Sequence, residues 1–158
     1  MPSSPSSDRV AGPWYLRLEI WSVALALAGV GLAAYLTIVH YRESLLVCSG
    51  ISDCETVQTS KYSEVAGIPV ALMGLLMFVA ILGLSIARLV RPEIADLTTM
   101  IIFVLVAAGI GFYIYLTYLE LFVINAVCQW CVASSLATVG LMITESIMVR
   151  RVLSVAET

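Results

Sequence analysis

Charge is what this sequence has least of: Asp, Glu, Lys and Arg make up 12% of its 158 residues, about half the share found in an ordinary soluble domain. Its eight basic residues stand in ones and twos and the net charge is −3. No basic stripe is available to neutralise a phosphate backbone, which excludes a nucleic-acid partner. Histidine occurs once, as His40, which leaves a zinc site without helpful nitrogen ligands. Cysteine is rare enough, at four residues, that the position of each can be weighed. What fills the chain instead is apolar: 61% of the residues are hydrophobic and the mean hydropathy is +1.01. Such a composition has a bilayer as its natural solvent and membrane lipid as its first partner.

The order of the runs predicts a topology. Residues 1–13, rich in Ser and Pro, read as a polar tail. Residues 18–39 form an apolar run of 22 residues, enough at about 1.5 Å per residue to cover a hydrocarbon core of roughly 30 Å. A cleavable signal peptide is the rival reading of this run, but it is longer than a signal core and follows a longer polar tail than usual. Residues 42–67 turn polar and hold Cys48, Cys54, Lys61 and four acidic residues. A second span is expected over 68–90, with Ile68-Pro69 opening it, because proline at a first helical position forfeits no backbone hydrogen bond. Arg91-Pro92-Glu93 breaks it. A third runs over 97–124, a short turn with Asn125 follows, and a fourth runs from about Cys131 to Arg150-Arg151, leaving 152–158 as a C-terminal tail. The expectation is one all-α domain over 14–151, an integral membrane four-helix bundle with a cysteine-bearing extracytoplasmic loop. Asp53 would cap a short lid helix over 55–60 in that loop. Glu19, His40 and Glu145 read as residues at span ends, and Glu120 as a carboxylate snorkelling to the headgroups.

Four crossings put both termini on one side. Arg9, Arg17, Arg88, Arg91, Arg150 and Arg151 then share one face, against Arg42 and Lys61 on the other, which points the termini to the cytoplasm of an inner membrane. All four cysteines then gather on the outward face, where disulfides persist.

Cys128-Gln129-Trp130-Cys131 is a C-x-x-C pair at the start of the fourth span, where a helix N-terminus favours a thiolate. Cys48 and Cys54 sit in a loop containing Ser49, Gly50 and Ser52, flexible enough to close a disulfide or to reach the turn. The residues alone leave three readings open: a relay of exchanging disulfides, static disulfides stapling the outer loops, or a zinc site. Small residues such as Gly74, Ala108, Gly109 and Gly111 would let helices approach closely.

The string from Cys48 to Cys54, then Val57, Ser60, Tyr62 and Gly67-Ile68-Pro69, followed by Cys128-Gln129-Trp130-Cys131, resembles a bacterial homologue of the vitamin K epoxide reductase family over about residues 15–150. The resemblance implies a membrane thiol oxidoreductase that generates disulfides. Electrons would enter from a soluble DsbA-like thioredoxin-fold protein at Cys48, pass through Cys54 and Cys128, and leave from Cys131 to a quinone, either ubiquinone or menaquinone, with no metal. Many bacterial homologues carry the thioredoxin-like domain at their C-terminus; with none before Thr158, a separate partner protein is expected. Ser60 matches a loop serine near the family's active site, and Ser134, Ser135 and Trp130 are candidates to line the quinone pocket. The animal enzymes place a tyrosine where this chain has Ser135, so a quinone rather than an epoxide is the expected acceptor. The rival from another class is a non-enzymatic four-span scaffold with a structural loop disulfide.

Overall fold

The structure is a computed structural model that describes residues 13–42, 47 and 54–156. Helix α1 spans Pro13–Tyr41 and is followed by the short helix α2, Cys54–Thr59. A minimal hairpin of β1 (Glu64–Val65) and β2 (Ile68–Pro69) leads into α3 (Val70–Val90). A 3-10 turn at Pro92–Ile94 opens α4 (Ala95–Leu119), a π-turn at Glu120–Ile124 closes it, and α5 spans Gln129–Ala156. Among the described residues, four helices are long and apolar enough to cross a membrane: Trp14–Tyr41, Val70–Val90, Pro92–Ile124 and Gln129–Ser154. The expected all-α four-helix membrane bundle is therefore what forms, with α1 packed on α3 and α5, and α4 on α3 and α5.

Local chemistry explains where the elements begin and end. The second long helix starts later than the sequence suggests, since Ile68 and Pro69 pair with Val65 and Glu64 in the hairpin. Pro69 is the N-cap, with ψ at 130°, and a residue that precedes proline is disfavoured in the α region, which keeps Ile68 extended. The hairpin turns through Ala66 at φ 54° and Gly67 at φ 80°, the two successive left-handed residues that a tight two-residue connection requires. Asn125, at φ 54°, ends the π-turn in the left-handed region that asparagine tolerates better than most side chains. The lid helix is present as α2, while Asp53, its expected cap, lies outside the described residues.

The middle of the bundle is a dry core of Ala26, Ala33, Phe78, Ile81, Ile102, Val106 and Leu141. Gly29 faces the Phe78 ring so closely that a Cβ there would overlap it, so its lack of a side chain is what lets α1 and α3 approach. Large apolar side chains such as Leu27, Leu76, Val104, Ile114 and Leu136 point outward and are exposed, as expected of a surface that meets lipid tails. Hydroxyls within the helices donate back to their own turns, among them Thr37 to the Ala33 carbonyl at 2.7 Å and Thr138 to the Ser134 carbonyl at 3.0 Å. Hydrocarbon offers no alternative partner for them.

The two ends of the bundle differ in chemistry. At the end where α1 begins and α5 finishes, Arg88 reaches inward with 1% exposure. Its guanidinium forms a fork on Glu145, at 2.8 and 3.1 Å, and its Nε lies 2.7 Å from Glu19 Oε1. It also donates to Thr99 Oγ1 at 3.1 Å, and the Ser22 hydroxyl donates to Glu145 at 2.6 Å. Glu19 and Glu145 are thus not boundary residues: an arginine two residues from the end of α3 can turn into the bundle, and two carboxylates bury themselves against it. Arg88 likewise drops out of the loop charges that argue for orientation. The opposite end holds Cys54, Cys128 and Cys131.

Candidate active site

At that opposite end the first residues of α5, the last of α4, the lid helix α2 and the last turns of α1 converge. Cys54 opens α2 and is disulfide-bonded. Cys128 and Cys131 are free thiols. Cys54 and Cys128 are both fully buried and share one apolar cluster with Leu36, against which Val57, Ala71, Trp130 and Cys131 pack. Cys48 lies outside the described residues.

The fourth long helix begins at Gln129 rather than near Cys131, which makes Cys128 the residue that caps it. The Cys128 carbonyl accepts from Val132 N–H at 3.1 Å and its Sγ from Cys131 N–H at 3.4 Å. A sulfur here takes the role that a serine or aspartate oxygen plays at ordinary helix starts. The Cys131 thiol and the backbone N–H groups of Cys131 and Trp130 hold the Cys128 thiol below the usual thiol range, against the opposing cost of burial. The helix N-terminus acts in the same direction.

Cys131 lies one helical turn further in and lines a cavity of about 350 Å³, within the size range of small-molecule sites. The walls are apolar, built from Leu36, Met73, Met77, Leu105, Phe112, Leu116 and their neighbours, with Gly74, Ala108 and Gly109 opening the space between α3 and α4. Polar groups are few: Gln58, Ser60, Tyr62 and Ser63 from the lid side, Tyr113 and Glu120 from the α4 side, and Ser134 from α5. Tyr113 faces Ser134 and Thr138. On the other side of α2, a second cleft of about 440 Å³ is bordered by His40, Glu55, Lys61 and Glu64, with His40 and Glu64 in contact at 3.2 Å. Gln58, Ser60 and Ser63 border both spaces, so α2 is the partition between the apolar cavity and the polar cleft.

Of the residues singled out in the sequence, Cys131, Ser60 and Ser134 line the cavity, and Cys54 and Cys128 pack beside it. Trp130 and Ser135 are not among its lining residues. The Trp130 ring instead lies 4.9 Å from that of Tyr35, and its indole N–H donates to the Val47 carbonyl at 3.0 Å. Val47 N–H donates to the Tyr35 hydroxyl, also at 3.0 Å. Both polar groups of the residue just before Cys48 are therefore tied to the bundle. Ser135 turns its hydroxyl onto the Val132 carbonyl at 2.8 Å. Ser60 donates to the Val57 carbonyl at 2.8 Å, which closes the end of the lid helix.

Glu120, like Glu19 and Glu145, departs from the boundary position expected of it. It does not snorkel; it is buried at 7% exposure, faces the cavity and lies beside the Cys131 thiol and the Cys128 backbone N–H. It opens the π-turn, and its carbonyl accepts from Asn125 N–H and, at 3.1 Å, from Ala126 N–H. Such turns recur at functional sites. A glutamate eleven residues before a C-x-x-C cysteine, across a turn with a left-handed asparagine, was the available signal. Tyr113 and Gln58 left no comparable trace. Among the described residues, no group of three or more His, Cys, Asp or Glu could hold a metal ion.

Comparison with known proteins adds one finding. The family model described as "Vitamin K epoxide reductase family" matches residues 20–146, a stretch that takes in all four cysteines and most of every long helix.

Proposed function

The chain belongs to the vitamin K epoxide reductase family, a family of membrane redox enzymes, and from that premise we propose that it makes disulfides by passing electrons from a soluble thioredoxin-fold protein to a membrane quinone. The observation that carries this reading is the placement of Cys131. A free thiol lines an apolar cavity of about 350 Å³, while its C-x-x-C partner Cys128 is buried in the same cluster as the disulfide-bonded Cys54. One end of the dithiol meets a space suited to an aromatic ring with two carbonyls, and the other meets a sulfur it can exchange with.

The chemistry runs in two stages. In the first, a thiolate of the partner attacks Cys48, breaking a Cys48–Cys54 disulfide and releasing Cys54; the partner's second thiol then resolves the mixed disulfide. Cys54 next attacks Cys128 of an oxidised Cys128–Cys131 pair, and Cys131 leaves as the thiol. Attack by Cys48 on Cys54 restores the loop disulfide and frees Cys128. In the second stage the reduced pair closes again to its disulfide, and two electrons and two protons pass to the quinone. The state described here, with Cys54 oxidised and the C-x-x-C reduced, is the one from which quinone reduction starts. The same reading places the cysteine end outward from an inner membrane and both termini in the cytoplasm, which the exposed Arg17, Arg91, Arg150 and Arg151 support. Ser60 and Ser134 are the proposed polar contacts for the ring carbonyls, and Trp130 serves the loop instead.

The test uses the purified full chain, reduced and freed of reductant, then mixed with a short-chain ubiquinone or with menadione. The expected result is loss of the Cys128 and Cys131 thiols with matching quinol formation, abolished by Cys128→Ala or Cys131→Ala. Thiols that persist as long as in a quinone-free control would mean a scaffold whose loop disulfide is structural.

A further inference from the structure

Quinone reduction by a dithiol moves protons as well as electrons, and a group able to carry them stands in the cavity wall. Among the described residues, Glu120 is the only Asp, Glu, Lys, Arg or His that lines it. Its carboxylate lies beside the Cys131 thiol and its side chain is withdrawn from the lipid and water surfaces at 7% exposure. A carboxylate at this depth that served only as an anchor would be expected to meet a cation, as Glu19 and Glu145 meet Arg88 at the other end. Among the described residues no cation lines the cavity; Glu120 meets the Cys131 thiol there, and the same walls carry the phenols of Tyr113 and Tyr62. It also meets the backbone N–H of Cys128, the residue that caps α5.

We propose that Glu120 is a catalytic proton carrier, taking the proton of the Cys131 thiol and delivering it to a carbonyl oxygen of the quinone. The proposal rests on the quinone-reducing function argued above and names the residue that function would need. The balance closes within that reaction. Two S–H bonds break and one S–S bond forms between Cys128 and Cys131, while the quinone gains two electrons and two O–H bonds. Glu120 carries one proton from Cys131. The other is the Cys128 proton, given to water when that thiol ionises and regained from water by the second oxygen. Glu120 itself ends as it began.

The geometry suits this task better than a role in thiol exchange. Exchange with Cys54 occurs at Cys128, on the side of the dithiol turned toward α1 and α2. Glu120 approaches Cys131, on the side turned toward the cavity. Its removal should therefore impair the quinone half-reaction alone.

The experiment compares unaltered full-length protein with Glu120→Gln, Glu120→Asp and Cys131→Ala. Single-turnover reduction of a short-chain ubiquinone is followed from pH 5 to 9, and exchange of the loop disulfide with a reduced thioredoxin-fold protein is followed separately. General acid–base assistance is typically worth about 100-fold or more. Glu120→Gln is expected to slow quinone reduction by about that factor and to remove one ionisation from its pH profile, with exchange unchanged and Glu120→Asp recovering part of the rate. A rate within about threefold of the unaltered protein, or a slower rate with an unchanged pH profile, overturns the proposal. Should Glu120→Gln not fold, an oxidised-minus-reduced infrared difference spectrum of the unaltered protein decides: a carboxyl band that changes with the redox state and shifts in deuterated water supports Glu120, and its absence overturns it. If the unaltered protein reduces no quinone at all, the functional reading has failed, a result distinct from failure of the Glu120 variants alone.

Discussion

Replacing Arg88 by Met should unfold this protein far more easily than any loss of packing volume would suggest. The side chain is 0% exposed and touches two carboxylates, at 2.7 Å from Glu19 and 2.8 Å from Glu145, with a second prong on Glu145 at 3.1 Å. Removing the guanidinium strands two buried carboxylates on α1 and α5 with no countercharge. Breaking a buried ion pair from one side costs about 3–5 kcal/mol, since the partner's desolvation stays uncompensated. At about 2–4 °C of melting point per kcal/mol for a chain of this size, the shift is about 6–20 °C downward. The assay is thermal unfolding in a mild detergent, followed by circular dichroism at fixed pH. Removing the whole set with Glu19→Leu, Arg88→Met and Glu145→Leu together should return stability to within about 2 kcal/mol of the starting protein, as apolar replacements of buried ion pairs often do. Because Cys128 and Cys131 lie at the other end of the bundle, quinone reduction per folded molecule should be unchanged in both variants. A drop of less than about 1 kcal/mol in the single variant would refute the reasoning, because it would mean that water or headgroups reach the triad.

The remaining predictions concern the cysteine end. Cys128 is held below the usual thiol range, so it is thiolate, and contributes to the folded reduced state, above about pH 8.5, and loses that contribution as pH falls through its lowered value. Alkylation of the reduced protein by iodoacetamide should therefore reach its half-maximal rate at Cys128 below about pH 8.5, and Cys131→Ala should move that point upward; a midpoint at or above the ordinary value refutes the assignment. Gly74→Leu places a side chain where a Cβ meets nothing within 4 Å, at the cavity wall. It should fold normally yet raise the quinone KM at least about tenfold, the equivalent of about 1.4 kcal/mol, without affecting exchange at Cys54; an unchanged KM would mean that the ring binds elsewhere. Trp130→Phe removes the donor to the Val47 carbonyl, a neutral hydrogen bond worth about 1 kcal/mol. Amide exchange at Val47 should quicken by about fivefold while the quinone KM stays the same, and a changed KM would place the indole in the cavity after all.

The sequence by itself was sufficient for the number of spans, their order and the gathering of Cys54, Cys128 and Cys131 at one end. Those features depend on run length and on where polar residues interrupt the runs, and a bilayer turns each long apolar run into a helix because no other open structure satisfies its backbone there. Boundaries were less legible: Pro69 capped a helix instead of entering it, and Cys128 became a cap three residues upstream of the expected start of its helix. Only the tertiary structure decided which way each helix faces. In water an apolar stripe marks the buried side, but lipid tails are as apolar as a protein core, so long helices of this kind carry no stripe to read. Ser134 and Ser135 are adjacent in sequence, yet only Ser134 meets the cavity. Glu19, Arg88, Glu145 and Glu120 all looked like residues at membrane boundaries until neighbouring helices supplied partners for them. The burial of a charge is settled by what faces it across the bundle, and that information belongs to the packing of four helices together.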